Sequence, residues 1–360
     1  MKKLLLIFTV LLLLVSCATK TEIIEAVDNQ QDDELLLNDD EVAHLNDNTE
    51  EEDTMFSTDF TIDTLPKSAY TEIWAYLIDN EEEYLKPDMP ITDIGYFGAE
   101  FDSYGKLISV PNPNKIKNFS GRIHLVVCCN SRSLSHFVLE EGSKTRKAAI
   151  ADLLAAAKNY DGLQIDFELV PEKDGSAFLS FLKELKAGLK GKTFSIALPA
   201  RTRAIKNDVY DYTKIAPIVD RLLVMAYDEH WSTSKPGPIA STEWCKSICD
   251  YSFKTVDPSK LIMGIPFYGR TWGDISLNRA YFHSGIERVL GENGITSIQR
   301  QNDIPSFSYT TTVHVSGFYE DAFSISAKME LYRKAGITMA GFWRLGQETE
   351  DVWKIIEVAK

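Results

Sequence analysis

The chain has 360 residues and a formal net charge of −15, and it carries no basic patch of the kind a nucleic-acid partner requires. The charge is local, because 16 acids stand against two lysines between Ala18 and Lys67 and place about −14 there. Setting that stretch aside, with the +2 of Lys2 and Lys3, leaves residues 68 to 360 near −3, so the low isoelectric point says nothing about a substrate.

In chain order, Met1-Lys2-Lys3 is a basic start and Leu4 to Val15 is almost wholly apolar. A run this short reads as the core of a signal peptide rather than a membrane span, giving a leader over 1–16. Leu14-Val15-Ser16-Cys17 fits a bacterial lipobox, which implies cleavage before Cys17 and a lipid on that cysteine. The expected location is therefore exported and lipid-anchored to a bacterial cell membrane, on a periplasmic or surface face. Residues 17–67, with runs such as Asp32-Asp33-Glu34 and Glu50-Glu51-Glu52-Asp53, read as a solvated, self-repelling tether.

Residues 68–360 suit one barrel domain, and strand and helix signals alternate along them as in βα units. Glu72 to Ile78 reads as strand one, Asp93 to Gly98 as strand two, and the apolar run Arg122 to Cys128 as a strand buried on both faces. A helix over Lys144 to Lys158 leads into strand four, residues 162 to 168. The next helix, Gly175 to Leu189, carries Phe178, Phe181, Leu182, Leu185 and Leu189 on one stripe. Thr193 to Leu198, Arg221 to Asp228 and Lys260 to Phe267 follow as strands five to seven, and Gly336 to Arg344 as strand eight. Glu348 to Val358 reads as a closing helix. About 70 residues separate strands seven and eight, more than a simple connection needs, so a small insertion is expected there. Within it, Val313 to Tyr319 reads as an extra strand and Ile325 to Ala335 as a helix. The expected fold is α/β, a (β/α)8 TIM barrel with that insertion.

Cys128 and Cys129 are adjacent on strand three, and Cys245 and Cys249 lie one helical turn apart. Neither spacing is a zinc pattern and no histidine clusters with them, so no metal is expected. They read as buried small hydrophobes, and an exported context also permits a disulfide.

The chemistry concentrates on Tyr160-Asp161-Gly162-Leu163-Gln164-Ile165-Asp166-Phe167-Glu168. On an extended chain Gln164, Asp166 and Glu168 line one side and Leu163, Ile165 and Phe167 the other. An apolar outer face with acids at the C-terminal end is what a barrel strand offers a catalytic mouth. The stretch resembles the DGxDxDxE signature of glycoside hydrolase family 18, the chitinase-type family: Asp161, Gly162, Asp166 and Glu168 match, and Gln164 stands where the middle Asp is usual. Met225-Ala226-Tyr227-Asp228 resembles the family's M-x-Y-D element. Gly264-Ile265-Pro266-Phe267-Tyr268-Gly269-Arg270-Thr271-Trp272 is similar to its strand-seven segment, and Gly341-Phe342-Trp343-Arg344-Leu345-Gly346 to strand eight. Strand three departs, with Cys128-Cys129-Asn130-Ser131 where the family has an S-x-G-G-like turn.

The resemblance implies a retaining glycoside hydrolase, with Glu168 as general acid and then base in a mechanism assisted by the substrate's own 2-acetamido group. Under it Asp166 steadies the cyclised intermediate and Tyr227 hydrogen-bonds the acetamide oxygen. Asp228 holds that sugar or orients the two acids, and Trp343 forms the floor under it. Gln164, Tyr268 and Tyr76 are further candidate substrate contacts, and Arg270 reads equally as a contact or a structural residue. Glutamine hydrogen-bonds but cannot share a proton, which blunts the relay that an Asp at position 164 would provide. Gln164, Phe167, and the element Asp228-Glu229-His230-Trp231 followed by Pro236-Gly237-Pro238 resemble the branch of spore-cortex and wall-lytic N-acetylglucosaminidases. The implied partner is an N-acetylglucosamine-containing polysaccharide, peptidoglycan before chitin oligomers or N-glycans, and no cofactor is implied. A non-catalytic lectin on the same barrel is the third reading.

Overall fold

Eight apolar stretches become eight parallel strands in the computed structural model, which describes residues 61–275, 281–301 and 304–359. These are β1 (Glu72–Ile78), β2 (Asp93–Phe101), β3 (Arg122–Cys129), β4 (Gly162–Phe167), β5 (Thr193–Pro199), β6 (Arg221–Met225), β7 (Leu261–Pro266) and β8 (Met339–Trp343). Each pairs with the next, and β8 lies between β7 and β1, so the sheet closes on itself as a (β/α)8 barrel. The signal segment, Cys17 and the acidic stretch through residue 60 lie outside the described residues. Ile62 and Leu65 already pack against the core, so the barrel's packing begins ahead of Ser68.

Strand alternation sorts the side chains. All six residues of β4 are buried, with Leu163, Ile165 and Phe167 facing the outer helices and Gln164 and Asp166 facing in. The helices are α1 (Arg132–Leu139), α2 (Lys144–Ala156), α3 (Gly175–Gly188), α4 (Tyr212–Ile215), α5 (Thr242–Thr255), α6 (His283–Glu292) and α7 (Ala322–Lys334). Those that cover β4 follow their apolar stripes: Phe178 and Phe181 of α3 set their rings 6.1 and 5.8 Å from Phe167. Each such burial contributes about 1.5–3 kcal/mol. Arg146, 3% exposed, ties the layer together by donating to Leu139 O, Ala177 O and Glu184.

Inside the barrel a second apolar cluster of Trp74, Tyr76, Val126, Ala197, Leu223, Ile262 and Met339 fills the bore, with Phe97, Met225 and Trp343 above it. Beneath it lies a charged plug. Glu72 accepts from Arg221 and Arg122, and the fully buried Asp93 accepts from Arg122 and pairs with His124 Nε2 at 2.7 Å. Burial alone would raise the Glu72 carboxyl, yet its hydrogen bonds from Arg221, Arg122 and Trp74 hold it down at about 2. Gly162 is demanded by the same plug. A Cβ there would lie 2.2 Å from His124 Nδ1 and 2.6 Å from Thr193 O, so the glycine of the acidic motif makes room for an imidazole on the neighbouring strand.

One expectation is corrected and one is extended. The chain does not end in a helix over 348–358: Glu350–Ile355 is a 3-10 helix, and Ile356–Val358 pairs in parallel with Ser68–Tyr70. The preference comes from main-chain partners nearly 290 residues away, which local periodicity cannot see. The insertion holds more than one strand. Arg270–Gly273 pairs with Val315–Phe318, a short ladder joins Gln299–Gln301 to Ile304–Ser306, and α6 precedes it. Cys129, Cys245 and Cys249 are buried free thiols, in line with their reading as small hydrophobes, and the disulfide that an exported context permits does not form among them.

Candidate active site

The site is built where β4 runs out. Gln164 is 0% exposed, Asp166 is 5% exposed, and Glu168 stands just past the strand, open at the mouth. Asp166 Oδ1 is buried without a hydrogen-bond partner, a costly arrangement that a bound group could relieve. Burial, and then the charge of Glu168, raises the Asp166 carboxyl well above its ordinary value. Glu168 reaches solvent through the mouth but is walled by protein on its sides. That desolvation, and then the charge of Asp228, raises it as well. Each carboxyl therefore holds its proton to a higher pH than a free carboxyl does.

Two strands further round, the chain leaving β6 delivers Tyr227 and Asp228. Tyr227 is half-buried, its phenol kept protonated first by burial and then by the neighbouring Tyr76 and Asp166. Its ring meets Tyr268 edge-on at 6.4 Å. Asp228 turns the chain out of the strand at φ 59°, an uncommon conformation for a residue with a side chain and the kind of local strain that gathers at functional sites. Asp228 Oδ1 accepts from Tyr268 at 2.5 Å and from Arg270 at 3.3 Å, and the Arg270 guanidinium lies 5.7 Å over the Tyr268 ring. The mouth therefore holds a tyrosine, arginine and aspartate as one unit. Trp343 is half-buried at the top of β8, resting on Tyr76 at 5.1 Å and Phe97 at 5.4 Å. It packs on the apolar bore and remains partly exposed.

Two sequence candidates lie deeper than expected. The Tyr76 hydroxyl donates to Gln164 Oε1 at 2.5 Å, and Gln164 Nε2 donates to Ser195 Oγ at 3.1 Å. Both are sealed below Asp166, so contact with a substrate gives way to a supporting role: they fix the layer on which Asp166 stands. Ser195 was missed, although the alternation Thr193, Ser195, Ala197 along β5 places it inward. Cys128 is the register partner of Asp166 on the neighbouring strand, at the position where the usual turn is absent. Glu168 and Asp228 stand exposed in the open mouth. A hollow of about 390 Å³ elsewhere, lined by Tyr281, Phe282, Ser284, Gly285 and Arg288, contains no acid.

A closed parallel barrel with two raised carboxyls, a tyrosine and a tryptophan at its C-terminal mouth is an arrangement suited to a glycosidase. The sequence model of Glycosyl hydrolases family 18 matches residues 106–348, and the chain belongs to that family, as a chitinase-like glycosidase. It is 33% identical over 230 residues to the uncharacterized glycosylase YvbX of Bacillus subtilis, spanning 59% of this chain and 66% of that one. It is 24% identical over 296 residues to a cortical fragment-lytic enzyme of Bacillus anthracis, spanning 74% and 67%. The chain thus spans about two thirds of the length of these curated relatives. The spore cortex-lytic enzyme SleL of Bacillus cereus superposes with a TM-score of 0.64 at 23% identity, covering 80% of this chain and 74% of that one.

Proposed function

We propose that this chain is a retaining hydrolase that cleaves β-1,4 bonds next to N-acetylglucosamine with assistance from the substrate's 2-acetamido group, and that its substrate is peptidoglycan. The observation that carries the mechanism is the pair at the end of β4: Asp166 buried with one unpartnered oxygen, and Glu168 just past the strand with its carboxyl raised. Glu168 gives its proton to the departing glycosidic oxygen while the acetamide oxygen closes on C1. Asp166 accepts the acetamide N–H, and its negative charge offsets the positive oxazolinium that forms. Tyr227 donates to the acetamide oxygen. The Glu168 carboxylate then takes a proton from water as that water opens the ring at C1, which restores the acid and retains the configuration.

Trp343 stacks beneath the reacting sugar, and Asp228, held by Tyr268 and Arg270, accepts from its hydroxyls. The choice of peptidoglycan draws on relatives named for lysis of spore cortex and on the lipobox at Cys17, which would hold the enzyme at a membrane close to the wall. The test is product analysis by mass spectrometry on purified peptidoglycan and chitin oligomers side by side. Muropeptides ending in reducing N-acetylglucosamine support the reading. Cleavage of chitin alone moves the substrate to chitin oligomers, and binding without cleavage of either leaves N-glycans and then a lectin.

A further inference from the structure

Glu168 is not held by the barrel's own ladder. The pairing of β3 with β4 ends at Phe167, and that of β4 with β5 ends at Ile165, so the acid sits on free-running chain. The next fixed point is Val170, 6% exposed, whose main-chain N–H needs an acceptor and finds the Tyr210 hydroxyl at 2.9 Å.

Tyr210 is itself firmly placed. In the loop that leaves β5, Arg201 donates to both Asp208 oxygens at 2.6 and 3.1 Å, and Asp208 Oδ1 accepts the Tyr210 N–H at 3.0 Å. The Arg201 guanidinium lies 5.9 Å over the Tyr210 ring, whose edge meets Phe178 at 6.2 Å. The same loop touches the exit of β4 again where Asn207 donates to Glu172 at 2.7 Å. Burial first, and the charges of Glu168 and Asp166 further, push the Tyr210 phenol up, which sets it within electrostatic reach of both carboxyls.

We propose that Tyr210 is a positioning residue for Glu168: a phenol carried by the β5 loop, braced by Arg201 and Asp208, fixes the main chain two residues beyond the acid and thereby its aim at the leaving oxygen. The proposal rests on Glu168 being the general acid. Removing the acceptor frees the chain by a fraction of an ångström to an ångström, a displacement that costs on the order of tenfold to a hundredfold in a reaction needing alignment.

The experiment measures kcat/KM of Tyr210→Phe on two substrates from one preparation: an unactivated β-1,4-linked N-acetylglucosamine oligomer, and a 4-nitrophenyl chitobioside, whose phenolate departs with little need for a proton. The expected result is a loss of about tenfold to a hundredfold on the oligomer, in kcat rather than KM, against under about threefold on the aryl glycoside. The ratio between substrates does not depend on the fraction of protein folded, so a structural defect cannot mimic it. Equal losses on both substrates, or no loss, overturn the proposal. Glu168→Gln measured in parallel separates the cases. If it too spares oligomer cleavage, the acid assignment fails and the positioning role with it; if it abolishes that cleavage while Tyr210→Phe shows no selectivity, only the positioning role fails.

Discussion

Tyr76 and Gln164, 88 positions apart, share a 2.5 Å hydrogen bond in the floor beneath Asp166, and the other end of the Gln164 amide is taken by Ser195. The amide is thereby fixed, carbonyl toward the phenol and nitrogen toward the serine. Gln164 in place of an acid therefore puts a neutral amide, fixed at both ends, in the layer below Asp166.

Both partners of Gln164 are hydroxyls, each able to donate. Gln164→Asp should therefore fold and keep or raise activity, with a broadened pH profile as the new carboxyl shares charge with Asp166. Gln164→Leu leaves both hydroxyls unpaired in a dry layer and should lose about 1–3 kcal/mol of stability. Thermal melts and pH–rate profiles of the two variants check this; a Gln164→Leu protein as stable as the parent contradicts it.

Asp166 is an acid raised by burial, so the folded state holds its proton more tightly than the unfolded chain does. That preference stabilises the fold at low pH and is lost as pH rises through the folded-state value. Asp166→Asn has no such loss. The melting temperature of Asp166→Asn relative to the parent should climb as pH rises out of the ordinary carboxylate range and through the raised folded-state value, while turnover collapses. A difference independent of pH would show that Asp166 is not desolvated as described.

Glu72 behaves in the opposite sense. Its folded value of about 2 lies below the ordinary 4.5, so its contribution is complete above about pH 4.5 and fades as pH falls toward 2. The stability margin of the parent over Glu72→Gln, read from urea midpoints, should hold from pH 7 to 5 and shrink below that. A margin that grows on acidification would refute the pairing with Arg122 and Arg221.

Gly162→Ala should be poorly tolerated, because its Cβ would press into both the His124 ring and the Thr193 carbonyl. Overpacking of this kind costs about 1–3 kcal/mol or more. Gly162→Ala paired with His124→Ala should recover part of the loss, and the double-mutant cycle measures how much. Additive losses would mean that the imidazole is not what the glycine accommodates.

The acidic face of β4 was legible because its signal is local. Asp166 and Glu168 share a face by the two-residue period of a strand, and apolar Leu163, Ile165 and Phe167 mark the other. The eight barrel strands were legible for the same reason. What escaped depends on partners far along the chain. Tyr76 looks like a cleft residue until Gln164 is seen to hold its hydroxyl, and Ile356–Val358 looks helical until Ser68–Tyr70 offers it main-chain partners. Tyr210 carries no motif at all, and its importance arises only from the amide of Val170.

The most direct test of the account is turnover by Glu168→Gln on peptidoglycan, with binding measured alongside. The substitution keeps shape and removes the transferable proton. The account predicts a loss of at least about 10²–10⁴ in kcat with binding of the glycan retained. Turnover within a few-fold of the parent would contradict it, and would remove Glu168 from the centre of the chemistry.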